Sequence, residues 1–164
     1  AAVALRAIPL GIVLGFHFCL AAFSLVSGYH VLFLLWGLFV VALCTFHILE
    51  FTWAAAFEPA TVTAEAFLLN HSRAYHVSII VAILEFAIEA FFFSEWKVRW
   101  ALPVAGVGLS LVLFGQVIRS LGMWTAGKNF THLIAEQKRS EHVLVQTGLY
   151  AVLRHPAYFG EQRL

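Results

Sequence analysis

Charge is what this chain has least of. Only 12% of its 164 residues are charged, against 62% hydrophobic, and the mean hydropathy is +0.87. A water-soluble domain carries about a quarter charged residues. Too little polar surface exists here to coat a globule, so part of the solvent has to be lipid. A net charge of +1 leaves no basic footprint for nucleic acid. Cysteine is scarce too. Cys19 and Cys44 lie inside apolar runs, form no disulfide framework, match no zinc spacing and read as small core hydrophobes. The first residues lack a basic stretch ahead of a short apolar one and a cleavage site, which argues against a signal peptide. No internal repeat or low-complexity tract is present.

What the chain has instead is long apolar runs. Four of them reach the about 20 residues that a helix needs to cross a bilayer core. They are 8–27, broken only by His17; 31–57, with His47 and Glu50 towards its end; 75–93, carrying Glu85 and Glu89; and 100–118, which holds no charge. Pro103 falls in the first turn of the last run, where proline is tolerated. The expected fold is an all-α membrane protein, one multi-span domain over 1–164. Connections are short except 58–73, where residues 63–69 predict a short helix lying in the interface, apolar on one side.

Four spans put both termini and the 58–73 loop on one side. That side holds Arg6, Arg73, Arg119, Lys128, Lys138, Arg139, Arg154 and Arg163; the other holds Lys97 and Arg99. The Lys/Arg bias places the richer side in the cytosol.

Ionised carboxylates at bilayer depth cost roughly 2.5–3.5 kcal/mol on insertion scales, so they must face helices, a cavity or each other. Glu85 and Glu89, four apart, share one face of the third run, and His47 and Glu50 share one face of the second. Two readings stand side by side: a polar lining for a substrate or ion path, and interhelical hydrogen bonds in which His47 or His17 meets a carboxylate. His47-x-x-Glu50 is half of a di-iron pattern whose other half is absent, so no metal site is expected.

Segment 124–160 is the polar part. Gly127, Gly148 and Gly160 supply turns, and Asn129, His132, His142 and His155 gather donors and acceptors beside the membrane. Leu144-Val145 reads as β-like, and Thr147-Gly148 turns the chain back towards Tyr150. Such a bend frees peptide groups that can read the edge of a flat heterocycle, with Tyr150 and Tyr158 offering ring faces. Pro156 suits a first helical position, and a helix N-terminus opening beside Arg154 and His155 suits an anionic group. A plain re-entry turn marked by basic residues accounts for the same letters.

The stretches "HVLVQTGLYAVLRHPAYFG", "TAGKNFTHLIAEQKRSEHVLV" and "FLLNHSRAYHVSIIVAILEF" resemble the isoprenylcysteine carboxyl methyltransferases over about residues 67–160. RHPxYxG alone is shared with wider groups of membrane methyltransferases and reductases; the other two stretches narrow it. The resemblance implies a multi-span enzyme of the endoplasmic reticulum membrane with a cytosol-facing site. It also implies S-adenosylmethionine as cofactor and methylation of the carboxylate of a farnesylated or geranylgeranylated C-terminal cysteine on CaaX proteins. The family's cofactor contacts fall on His142, Val143, Leu144, Val145, Tyr150, His155, Pro156, Ala157 and Tyr158, with no catalytic base and no metal ligand. Ala135 departs from relatives that offer a glutamine there, with Glu136 and Gln137 as neighbours.

Members of that family continue past the RHPxYxG glycine with an aromatic helix, a further span and a polar tail. That tail brings an arginine for the substrate and a glutamate for the cofactor. "EQRL" follows neither pattern. The expectation is a shortened chain that lacks this part of the active site, binds cofactor weakly and turns over little. A methyltransferase for another lipid, and a non-catalytic form that pairs with a complete enzyme, remain alternatives. A transporter is disfavoured, since neither inverted repeats nor paired broken helices are present.

Overall fold

The computed structural model describes residues 1–28, 30–70, 72–130 and 144–153, and among them no strand occurs. Four helices are long and apolar enough to cross a membrane: α1 (Ala2–Ser27), α2 (Val31–Phe57), α3 (Arg73–Phe92) and α4 (Ser94–Ala126). They run up and down, so the start of α1 and the end of α4 share one end of the bundle.

α2 is the central helix. Its buried residues, Leu34, Gly37, Val40, Cys44, His47 and Glu50, recur at three- and four-residue steps and form one stripe. The stripe starts apolar and turns polar. At the apolar part α1 comes very close: a Cβ on Gly37 would stand 2.9 Å from both Ala21 Cβ and the His17 carbonyl oxygen. Small residues let membrane helices approach in this way, where packing rather than hydrophobic exclusion drives association. Gly28 ends α1 in the left-handed region at φ 64.

The 58–73 connection differs from expectation. Only Ala64–Phe67 is helical, as a single 3₁₀ turn, and Ala64 and Phe67 are buried. The Phe67 ring stacks on Phe51 of α2 at 4.2 Å. Its apolar side therefore packs on protein and not along the lipid surface. Arg6 of α1 clamps the turn, donating from Nη1 to the Ala64 carbonyl at 2.5 Å and from Nη2 to Glu65 Oε1 at 2.6 Å. That guanidinium holds the Glu65 carboxyl below its ordinary value of 4.5.

Ser72 caps α3, its hydroxyl accepting from the Tyr75 N–H at 3.1 Å. Phe93 alone separates α3 from α4: its N–H bonds the Glu89 carbonyl, and its carbonyl accepts from Lys97 N–H. α4 thus starts six residues before the expected run, which moves Pro103 into the helix interior. There the ring leaves one carbonyl of the preceding turn without its N–H, a defect that membrane bundles accommodate. At 33 residues α4 is longer than any apolar run requires. By helix rise it measures about 50 Å, against about 30 Å of hydrocarbon, so it is long enough for its end to reach the water–lipid boundary. Trp53, Phe57 and Trp124 mark that level, with Trp124 edge-on to Trp53 at 5.7 Å and to Phe57 at 6.0 Å.

Candidate functional site

The end of the bundle where α2 and α4 finish is held by polar groups. Glu50 is fully buried and meets Arg119 of α4: Nε lies 2.5 Å from Oε1 and Nη2 lies 2.9 Å from Oε2. This is the fork-on-carboxylate geometry of the strongest ion pairs. Arg119 also lies 5.5 Å from the Phe46 ring centroid. Trp53 Nε1 donates to Ser120 Oγ at 3.2 Å one residue on. Arg119 is therefore an interior residue of α4, not a charge marking where the chain leaves the membrane.

His47, one turn deeper on α2, binds elsewhere than the sequence spacing anticipates. Its Nδ1 lies 2.8 Å from the Phe67 carbonyl oxygen and its Nε2 lies 2.7 Å from the Tyr75 hydroxyl. His17 donates within its own helix, Nδ1 to the Val13 carbonyl at 2.8 Å. Among the described residues neither histidine hydrogen-bonds a carboxylate. For His47 and Glu50 the interhelical reading holds: together they tie α2 to α3, to the Ala64–Phe67 turn and to α4. Among the described residues no group of three His, Cys, Asp or Glu side chains converges in a way that fits a metal ion.

Above this layer the polar segment begins. Gly127 caps α4, a short 3₁₀ turn covers Gly127–Asn129, and the Phe130 N–H bonds the Gly127 carbonyl. The described chain resumes at Leu144. Leu144 and Val145 lie outside any regular element, so the expected β-like pair is not a strand. The turn at Thr147-Gly148 is present: Gly148 sits at φ 58 and opens a 3₁₀ turn, Gly148–Ala151. Within that turn Tyr150 N–H bonds the Thr147 carbonyl at 3.2 Å, and Leu153 N–H bonds the Leu149 carbonyl at 2.8 Å.

The turn is seated on α4. A Cβ at Gly148 would stand 3.0 Å from Thr125 Cγ2 and 3.3 Å from its Oγ1. Glycine is required twice here, for its positive φ and for the approach. Thr125 is fixed in turn by donating to the Leu121 carbonyl at 2.7 Å. Leu144 is exposed, while Val145 and Tyr150 are half-buried. Of the nine expected cofactor contacts, these three fall among the described residues. His142, Val143, His155, Pro156, Ala157 and Tyr158 lie outside them.

Spacing gave no hint of Thr125 or of the Glu50–Arg119 pair. One available signal was that a carboxylate near the end of one apolar run needs a cation from another, and Arg119 borders the fourth.

Against known proteins, the model of the isoprenylcysteine carboxyl methyltransferase (ICMT) family matches residues 107–162. A protein-S-isoprenylcysteine O-methyltransferase of Dictyostelium discoideum is 43% identical over 124 residues, covering 76% of this chain and 51% of the relative. One of Rattus norvegicus is 38% identical over 159 residues, covering 96% and 53%. A solved structure of the eukaryotic intramembrane Ras methyltransferase ICMT, without a monobody, superposes with a TM-score of 0.85 at 35% identity. That match covers 98% of this chain and 55% of the solved one. The chain spans about half the length of the curated relatives it matches.

Proposed function

The chain belongs to the isoprenylcysteine carboxyl methyltransferase family, and from that premise we propose a role in one reaction. The reaction is S-adenosylmethionine-dependent methylation of the C-terminal isoprenylcysteine α-carboxylate of prenylated CaaX proteins. The observation that carries the proposal is the Gly148 turn seated on Thr125 at the end of α4. It builds a fixed, membrane-adjacent cradle out of one of the stretches that carry the family resemblance.

The residues present fit such a cofactor. Residues 144–146 belong to no helix, so their peptide groups are not committed to helical hydrogen bonds and can turn towards a heterocycle's edge. Exposed Leu144 and half-buried Tyr150 flank the turn with an apolar side chain and a ring. We assign the contacts to His142, Val143, Leu144, Val145, Tyr150, His155, Pro156, Ala157 and Tyr158, within a cofactor segment 124–160 of the single domain 1–164. When bound, the cofactor supplies a methyl group on a positively charged sulfur.

The protein's own part is positioning. An α-carboxylate, with an ordinary pKa of about 3.3–3.7, is ionised at neutral pH and needs no base to become a nucleophile. Holding it in line with the methyl group and away from water is then the main contribution. The prenyl chain stays in the bilayer while its carboxylate reaches the surface at the α4 end. Arg6, Arg73 and Lys128 lie at that end and Lys97 and Arg99 at the other. This bias supports a cytosol-facing site, and the family resemblance adds the endoplasmic reticulum membrane to the proposal.

The test separates binding from turnover. Calorimetry on the chain in nanodiscs should show S-adenosylmethionine binding that S-adenosylhomocysteine competes away and that Gly148→Ala weakens. Transfer of labelled methyl to N-acetyl-S-farnesylcysteine, with N-acetylcysteine inert, tests the substrate class. Binding indifferent to Gly148→Ala contradicts the assigned site.

A further inference from the structure

At the opposite end of the bundle from the Gly148 turn, the α3–α4 hairpin carries an open cavity. It measures about 760 Å³ and runs along one face of α3 to Phe93 and the first turn of α4. Its wall is Val81, Leu84, Ile88 and Trp96, and Glu85 and Glu89 face into it. A smaller space of about 180 Å³ on the α2 side shares both glutamates and adds Phe39 and Lys97. No residue of α3 is buried.

The two carboxylates are not equivalent. Glu89 is paired with Lys97, whose ammonium also lies 4.5 Å over the Phe86 ring. Glu85 is exposed to the cavity and has no partner among the described residues. It sits one helical turn deeper than Glu89. Trp96, Lys97 and Trp100, at the start of α4, are the residue types that mark a water–lipid boundary. The larger space thus offers two carboxylates over an apolar wall that runs into the bilayer, and the smaller one beside it adds the Lys97 ammonium, already paired with Glu89.

That charge pattern complements a dipolar lipid head. We propose that the α3–α4 cavity binds a phospholipid with a primary ammonium headgroup, phosphatidylethanolamine, from the leaflet at the α3–α4 turn. Its ammonium donates to Glu85 and Glu89, its phosphate lies by Lys97, and an acyl chain follows Val81, Leu84 and Ile88. A trimethylammonium head carries the charge but has no N–H to donate, and an anionic head meets an uncompensated carboxylate. Both therefore bind less well. The site lies about 40 Å along α4 from the Gly148 turn by helix rise, so it stands whether or not the methyl-transfer reading does.

Photocrosslinking in nanodiscs tests this. The chain is reconstituted with phosphatidylethanolamine or phosphatidylcholine carrying the same photoactivatable acyl chain, and adducts are mapped by mass spectrometry. Adducts on residues 81–97 should favour the ethanolamine probe by about tenfold, the size a charge-assisted hydrogen bond gives. Glu85→Gln should abolish that preference, Glu85→Asp should retain it, and Leu111→Ala, on the exposed face of α4, should leave it unchanged. Equal labelling by the two probes, or a preference indifferent to Glu85→Gln, overturns the proposal.

Discussion

Glu50 and Arg119, 69 positions apart, grip each other through two hydrogen bonds inside the protein, at 2.5 and 2.9 Å. Each lies about two turns before the end of its helix, so the pair fixes α2 against α4 just beneath the turn that Gly148 forms on Thr125. Removing one partner strands a buried charge. Glu50→Gln or Arg119→Met should each cost about 3–5 kcal/mol, and the joint substitution much less than their sum. Arg119→Lys should fall between, because a lysine cannot reproduce the fork. Thermal unfolding of the native chain and the four variants in one detergent measures this.

Gly148→Ala should cost about 1–2 kcal/mol from the positive φ alone, with the Thr125 contact added. Thr125→Ser removes Cγ2, the nearer of the two atoms. It should recover the steric part of the loss and none of the backbone part, which a double-mutant cycle on unfolding reads.

Tyr75→Phe removes the hydroxyl that lies 2.7 Å from His47 Nε2. The expected loss is about 1–3 kcal/mol, with local loosening of α3 detected as faster amide exchange at its first turns.

Gly37→Leu drives a side chain into Ala21 and the His17 carbonyl, so α1 and α2 must part. Gly37→Ala should destabilise by about 1–3 kcal/mol and Gly37→Leu by more. Glycine 106, with nothing within 4 Å of its Cβ position, is the control and should tolerate alanine.

The Arg6–Glu65 latch gives a small pH effect of known sign. The Glu65 carboxyl titrates below 4.5 in the folded chain. Its pairing therefore contributes fully above that pH and is lost as the pH falls through the depressed value. Between about pH 5 and pH 3 the melting temperature of the native chain should fall more than that of Glu65→Gln, and high salt should erase the difference.

The spans were legible because twenty-residue apolar runs have few other uses; the four helices fall where hydropathy put them. Their ends were less so. α4 runs on to Ala126 because Arg119, which looks like a boundary residue, is neutralised by Glu50 from 69 positions away, and no local pattern carries that. The 63–69 stretch has the letters of an interfacial helix. Its apolar side is instead taken by Phe51, a contact that only the folded bundle creates. Among site residues, the Thr147-Gly148 turn was readable from glycine chemistry, since a positive φ is what glycine uniquely permits. Thr125 was not, because a threonine one residue from a helix end has no sequence signature for what lands on it.

The central claim is that residues 144–153, folded on the end of α4, cradle a methyl-donating nucleoside. Hydrogen–deuterium exchange on the chain in nanodiscs, with and without saturating S-adenosylmethionine, tests it most directly. Slower exchange across 144–153 and the last turns of α4, with α1 unchanged, is the predicted result. Unchanged exchange over 144–153 at a concentration where calorimetry shows binding contradicts it.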